Sequence, residues 1–301
     1  MRRRRFIGTC TAVAFNAAAA LPLLPSPSGS RAAAPEPPLS VMLWTIEPKL
    51  TFDQRVAKVA EAGYQAVELV QEYKGWSPAD FAHARQRFRR MSMVVDACSG
   101  IEASLIDPAQ RELLLQQVRT KLVVLAELEC SRLILLTGNC VPGLTREQMH
   151  SNGVETLKRT AELAASQNVE LLLETIDPVE NPRYFLTSVA EGFEMVREVN
   201  HPRVRLLYDF FHEQIAEGNL IVKLERNLEW IGLVHVADVP GRHAPGTGEI
   251  NYANVLRKLG QLGYSRYIAM EFLPVGDTVD ELRAAREFAE KHFAEGRRLT
   301  S

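Results

Sequence analysis

Past its first few dozen residues the chain alternates short, nearly continuous apolar runs with longer amphipathic stretches. The apolar runs cover residues 40–45, 65–70, 92–97, 132–137, 169–174, 204–209, 231–235 and 267–271. Runs this rich in Val, Ile and Leu fit strands buried on both faces, as in a parallel sheet. Between them, helical patterns span 52–62, 78–90, 108–128, 145–167, 187–199, 219–229, 252–262 and 278–294. Boundary chemistry supports several of these helices. Thr51 and Thr187 read as N-caps, Asp107 precedes Pro108 at a first helical position, and Gly63 and Gly263 follow helix ends. Eight strands alternating with eight helices over about 260 residues predict an α/β fold, a (β/α)₈ TIM barrel. The rival, a doubly wound open sheet, usually has fewer strands and a Gly-rich first turn. Here the first strand runs into Trp44, Thr45, Ile46, Glu47 and Pro48, with no G-x-G-x-x-G behind it.

The N-terminus breaks the pattern. Arg2 to Arg5, then Phe6 and Ile7, precede an Ala-rich apolar stretch that ends near Pro25, followed by small residues to Ala34. A basic head, a short apolar middle and an Ala-x-Ala end predict an export signal, and the arginine run resembles a twin-arginine signal. Pro22, Pro25 and Pro27 interrupt the stretch short of the roughly 20 residues a spanning helix needs. The expectation is a signal and cleavage region over 1–34, a single barrel domain over 35–301, and a periplasmic or otherwise exported protein that touches a membrane only during export.

Composition then narrows the chemistry. The chain of 301 residues is 46% hydrophobic and 24% charged, ordinary globular material. Cleavage would leave 30 Lys+Arg against 37 Asp+Glu, a net charge of about −7. Such an acidic chain argues against a nucleic-acid partner, which needs clustered Lys and Arg to displace counterions. A small-molecule substrate is the better expectation, and a homo-oligomer is compatible with it. Cys98, Cys130 and Cys140 show no Cys-x-x-Cys spacing. Cys130 and Cys140 flank a strand and lie beyond disulfide reach, whereas Cys98 with Cys140 stays open.

Four polar residues punctuate the second half. Glu174, Asp209, His235 and Glu271 each end an apolar run, at intervals of 35, 26 and 36 residues. In a TIM barrel, groups at the carboxyl ends of neighbouring strands converge on the mouth where active sites lie. One polar residue at a strand end is usually a cap, an ion-pair partner or an ordinary hydrogen-bonding group; four at consecutive ends predict a site. Three carboxylates and an imidazole suit one divalent ion such as Mg²⁺, Mn²⁺ or Co²⁺ better than a structural zinc. His212 follows Asp209 by three residues, and the loop over 237–252 carries Asp238, Arg242, His243 and Glu249 among three glycines and two prolines. That density of turn formers predicts a fixed backbone path. Arg242 either holds a substrate carboxylate or pairs with Asp238 or Glu249.

Residues 235–252, which include Pro240, Gly241, Arg242 and His243 and then Pro245 to Tyr252, resemble the hydroxypyruvate isomerases. So do residues 208–212, 172–176 and 61–69. These enzymes are part of the xylose-isomerase-like group of TIM barrels that includes the ketose 3-epimerases. The resemblance covers nearly all of 40–290. It implies that Glu174 and Glu271 are the paired catalytic glutamates, that Glu174, Asp209, His235 and Glu271 hold one divalent metal, and that His212 and Arg242 contact substrate. At His235 the chain departs from the hydroxypyruvate isomerases, where glutamine is usual, and matches the epimerase relatives, where histidine is. The expected function is a metal-dependent isomerase interconverting a 2-hydroxy aldehyde and a hydroxy ketone, of the hydroxypyruvate and tartronate semialdehyde type. A ketose epimerase or 2-oxo-tetronate isomerase is the alternative on the same residues. A phosphodiesterase of the endonuclease IV kind would want more histidines and a basic groove. A non-catalytic sugar-binding barrel would have no use for two glutamates at the reacting carbons.

Overall fold

The computed structural model describes residues 37–300. The export signal and cleavage region expected over 1–34 lie outside the described residues. Eight parallel strands pair in chain order and close on themselves: β1 (Leu39–Met42), β2 (Ala66–Leu69), β3 (Val94–Cys98), β4 (Arg132–Leu136), β5 (Glu170–Glu174), β6 (Val204–Asp209), β7 (Ile231–Val236) and β8 (Ile268–Met270). Closure is made by Leu39, Ser40 and Val41 against Ile268, Ala269 and Met270. The predicted (β/α)₈ barrel is the fold observed.

Around it run α1 (Phe52–Glu61), α2 (Pro78–Arg90), α3 (Arg111–Glu127), α4 (Arg146–Ala165), α5 (Val189–Val199), α6 (Phe210–Ala216), α7 (Leu220–Asn227), α8 (Tyr252–Gln261) and α9 (Thr278–Arg298). Thr51 caps α1 in a reciprocal box: its hydroxyl accepts from Gln54 N, and the Gln54 side chain accepts from Thr51 N. Two boundaries differ from the sequence reading. Ser188, not Thr187, caps α5, and Pro108 opens a 3₁₀ turn, so that α3 proper starts at Arg111. A third difference is α6, an unexpected helix of seven residues that Asp209 caps directly off the end of β6.

The barrel buries two apolar layers. The outer one lies between strands and helices, with Val41, Val67, Leu133, Leu171, Leu206 and Val234 facing outward onto residues such as Leu157, Val196 and Leu282. Fully burying such a side chain is worth roughly 1.5–3 kcal/mol. α8 and α9 meet backbone to backbone: a Cβ on Gly296 would sit 1.9 Å from the Arg257 carbonyl oxygen. The inner layer is Met42, Ala97, Ile134, Leu172, Leu207, Leu233 and Ala269, one residue from every strand but β2. At β2 the register places Glu68 between Met42 and Ala97. A fully buried carboxylate therefore occupies the apolar floor of the barrel.

Cys98 and Cys130 are buried and Cys140 is exposed, all three as free thiols, so the Cys98 and Cys140 pairing left open above is not formed. Among the described residues no helix is long and apolar enough to cross a membrane.

Candidate active site

The strand register brings the four punctuating residues together. Asp209 on β6 pairs with His235 on β7, Glu174 ends β5 next to β6, and Glu271 follows β8, its N–H donating to the Val236 carbonyl at 3.0 Å. One ligand-type atom from each of the four lies within 4.8 Å of the others. All four are buried, from 0% exposed for His235 to 7% for Glu174.

Each side chain is held by a distinct set of partners. Asp209 divides its oxygens: Oδ1 accepts from Phe211 N at 2.7 Å and His212 N at 3.3 Å, which caps α6, while Oδ2 accepts from Arg242 Nη2 at 3.2 Å. His235 presents Nε2 to Glu68 Oε2 at 2.9 Å and turns Nδ1 to Glu271 Oε2 at 2.6 Å and Glu174 Oε1 at 3.5 Å. Glu271 also accepts from Trp44 Nε1 at 3.0 Å and meets Arg242 Nη2 at 2.7 Å. His212 uses Nδ1 with Asp177 Oδ2 at 2.7 Å, and its Nε2 faces Arg242 Nη1 at 3.2 Å. All six expected site residues thus line one place.

Arg242 takes neither of the ion pairs weighed for it. Its guanidinium faces Glu271, Asp209 and Glu180, not Asp238 or Glu249. Asp238 is fully buried and accepts from the backbone N–H groups of Val239, Gly246, Gly248 and Ile250 at 2.8–3.0 Å. That carboxylate winds the loop, and Gly248 lets the loop come that close, since a Cβ there would lie 2.1 Å from the Val239 carbonyl oxygen. His243 binds the Leu273 carbonyl oxygen, and Glu249 is exposed beside Gln214, so neither reaches the site.

The two glutamates are driven apart electrostatically. Burial raises the pKa of Glu174, with His235 opposing it and the charges of Glu271 and Asp209 adding to it. Burial would also raise Glu271, but Arg242 and His235 hold it well below the usual carboxylate range. Burial works against a charge on His212, yet Asp209 and the hydrogen bond to Asp177 raise it to about 8. Paired titratable groups pushed in opposite directions are the usual arrangement for acid and base partners.

The donor set fits a divalent cation. His235 Nδ1 and Glu271 Oε2 are buried without a properly aligned hydrogen bond, although they stand 2.6 Å apart. Both point at the centre of the quartet, where a cation would satisfy them. Three further residues belong to the site that the sequence reading did not single out: Trp44, Glu68 and Asp177. Above the quartet opens a cavity of about 710 Å³. Trp44, Val70, Ile134, Ile176, Phe211 and Leu273 form apolar walls, and among the described residues lining it Arg242 is the single Lys or Arg.

A family model described as xylose isomerase-like TIM barrel matches residues 56–292. The chain belongs to the xylose isomerase-like TIM barrel family. Within that family it resembles the 2-oxo-tetronate isomerase of Pectobacterium atrosepticum, with 28% identity over 83% of this chain and 96% of that one. The hydroxypyruvate isomerase of Escherichia coli is 30% identical over 49% of this chain and 57% of its own. These relatives place the protein among the aldose–ketose isomerases of the family, enzymes of small sugar-like substrates. Among solved structures, an AP endonuclease of family 2 from Brucella melitensis superposes with a TM-score of 0.76 at 24% identity, covering 82% of this chain and 96% of that one. An L-ribulose 3-epimerase does so at 0.74 and 19%, covering 87% and 96%. At those identities the structural matches speak to the family's fold alone.

Proposed function

We propose that the protein is a metal-dependent isomerase that interconverts a 2-hydroxy aldehyde and a hydroxy ketone, of the hydroxypyruvate and tartronate semialdehyde type, by proton transfer through an enediolate. The observation that carries this is the pair Glu174 and Glu271, both buried against Nδ1 of His235 with their pKa values driven apart. Glu174, Asp209, His235 and Glu271 would hold one divalent ion, Mg²⁺, Mn²⁺ or Co²⁺. Bound there, it supplies stabilisation of the negative charge that develops on the substrate oxygens.

The chain's own groups perform the proton movements. One glutamate removes the proton from the carbon bearing the hydroxyl, and a glutamate carboxyl returns a proton to the neighbouring carbon; such positioned acid–base chemistry contributes typically 10²–10⁴-fold. Trp44 and Arg242 fix the Glu271 carboxylate from both sides, so its geometry is set before substrate arrives. His212, anchored by Asp177, directs Nε2 toward the cavity to orient or polarise a substrate oxygen. Apolar walls exclude water from the reacting carbons.

Reaction in D₂O tests this reading. Solvent deuterium is expected at the carbon that gains hydrogen, and a product without it would replace proton transfer by an internal hydride shift. A second reading, a ketose epimerase or 2-oxo-tetronate isomerase, is favoured by one observation: a cavity of about 710 Å³ is far roomier than a three-carbon acid requires. Parallel assays of the metal-loaded protein on hydroxypyruvate, tartronate semialdehyde and free ketoses separate the two by kcat/KM.

A further inference from the structure

With the metal centre proposed above taken as given, we infer that Glu68 is a positioning residue of that centre, which fixes the ring of His235 with its proton on Nε2 and so makes Nδ1 the ligand nitrogen. Glu68 is an anomaly in its own layer. Seven strands give this layer an apolar residue, and at the matching position β2 gives a carboxylate. A buried carboxylate among apolar side chains is costly unless it is paired, and its partner comes from β7, past β1 and β8 in the barrel: His235 Nε2, 2.9 Å from Glu68 Oε2, both residues fully buried.

The geometry leaves His235 no choice of face. Nε2 points down to Glu68, and Nδ1 points up into the quartet, within 4.0 Å of one oxygen each from Glu174, Asp209 and Glu271. A neutral imidazole that donates through Nε2 presents a lone pair at Nδ1, which is what a cation needs. Glu68 has a second acid for a neighbour in the floor. Beside it Asp96 is buried and receives a hydrogen bond from Ser40 Oγ at 3.0 Å, and Arg132 Nη1 donates to the Asp96 carbonyl at 3.1 Å. One oxygen on each carboxyl, Glu68 Oε1 and Asp96 Oδ1, is buried without a partner. Burial and the neighbouring Glu68 push Asp96 well above the usual carboxylate range.

The test uses the full-length protein stripped of metal and titrated with Co²⁺, followed by visible absorption, for the unsubstituted chain, Glu68→Gln and Glu68→Leu. Loss of such an outer partner typically weakens metal binding 10–100-fold. That loss is expected for Glu68→Leu, and a smaller one of at least about threefold for Glu68→Gln, which keeps an acceptor without the charge. In the Zn²⁺-loaded protein, long-range ¹H–¹⁵N spectra should show the His235 Nε2–H shifted downfield by a strong hydrogen bond, and both substitutions should move it upfield. Thermal melts of the metal-free proteins identify any variant that has lost its fold; should Glu68→Leu not fold, Glu68→Gln decides. Co²⁺ affinity and the Nε2–H resonance unchanged in a folded variant would overturn the assignment. If the unsubstituted chain binds no Co²⁺, the metal centre itself is wrong and the assignment falls with it.

Discussion

The strands β5 to β8 and the strands β1 to β4 enclose one cavity and supply it differently. From β5 to β8 come Glu174, Asp209, His235 and Glu271, each at a carboxyl end. From β1 to β4 come Met42, Val70, Ile134 and Leu136, which give the cavity its shape, while the carboxyl groups Glu68 and Asp96 stay at the floor. A nearly eightfold scaffold thus carries fourfold chemistry. The difference teaches that in this barrel the reacting groups lie on one half and the packing on the other, with Glu68 and Trp44 as polar links across.

Substitutions in the two halves should therefore fail in different ways. The largest effect is expected from Glu174→Gln, which should lower turnover by about 10²–10⁴-fold with little change in melting temperature; retained solvent-deuterium exchange would remove Glu174 from the proton transfer. Next, Ile134→Ala in the opposite half should cost about 2–5 kcal/mol of stability in denaturant unfolding, through the lost transfer energy and the cavity left behind. Turnover of the folded fraction should change less than tenfold there.

A smaller effect is tied to pH. His212 in the folded protein titrates at about 8, above the ordinary histidine value of 6.5, so its pairing stabilises the fold fully below pH 6.5 and is lost as pH rises through 8. In chelator-stripped protein this is worth about 2 kcal/mol, and Asp177→Asn should flatten the slope of stability between pH 6.5 and 8. The smallest effect is expected from Thr51→Ala. Losing that exposed cap, which makes no contact with the quartet, should cost about 1 kcal/mol and leave kcat/KM unchanged.

The same division explains what could be read from the chain. The barrel and the quartet were legible because parallel strands buried on both faces appear as apolar runs, and a polar residue at the end of each run stands out. Glu68 and Asp96 were equally visible as charges inside apolar runs. Such runs lack the alternation that tells inward from outward, so only the register shows that Glu68 faces His235. Trp44 reaches Glu271 across 227 positions of sequence from a 3₁₀ turn after β1, a contact no local pattern encodes. Asp177 precedes Pro178 and reads as a turn former until His212 is placed beside it. The helix α6 was missed because its cap, Asp209, is also a site residue, and a strand-end acid gives no separate sign of a helix start.

Asp238 gathers four backbone N–H groups of its loop onto one carboxylate. The segment from Val239 to Ile250 therefore behaves as scaffold and not as a lid. Little conformational entropy remains for substrate to remove when it meets Arg242, and association should be limited by diffusion into an already formed mouth. Loosening that one carboxylate would turn a rigid rim into a gate, and the amides of Gly246, Gly248 and Ile250 would then exchange with solvent together, as one opening unit.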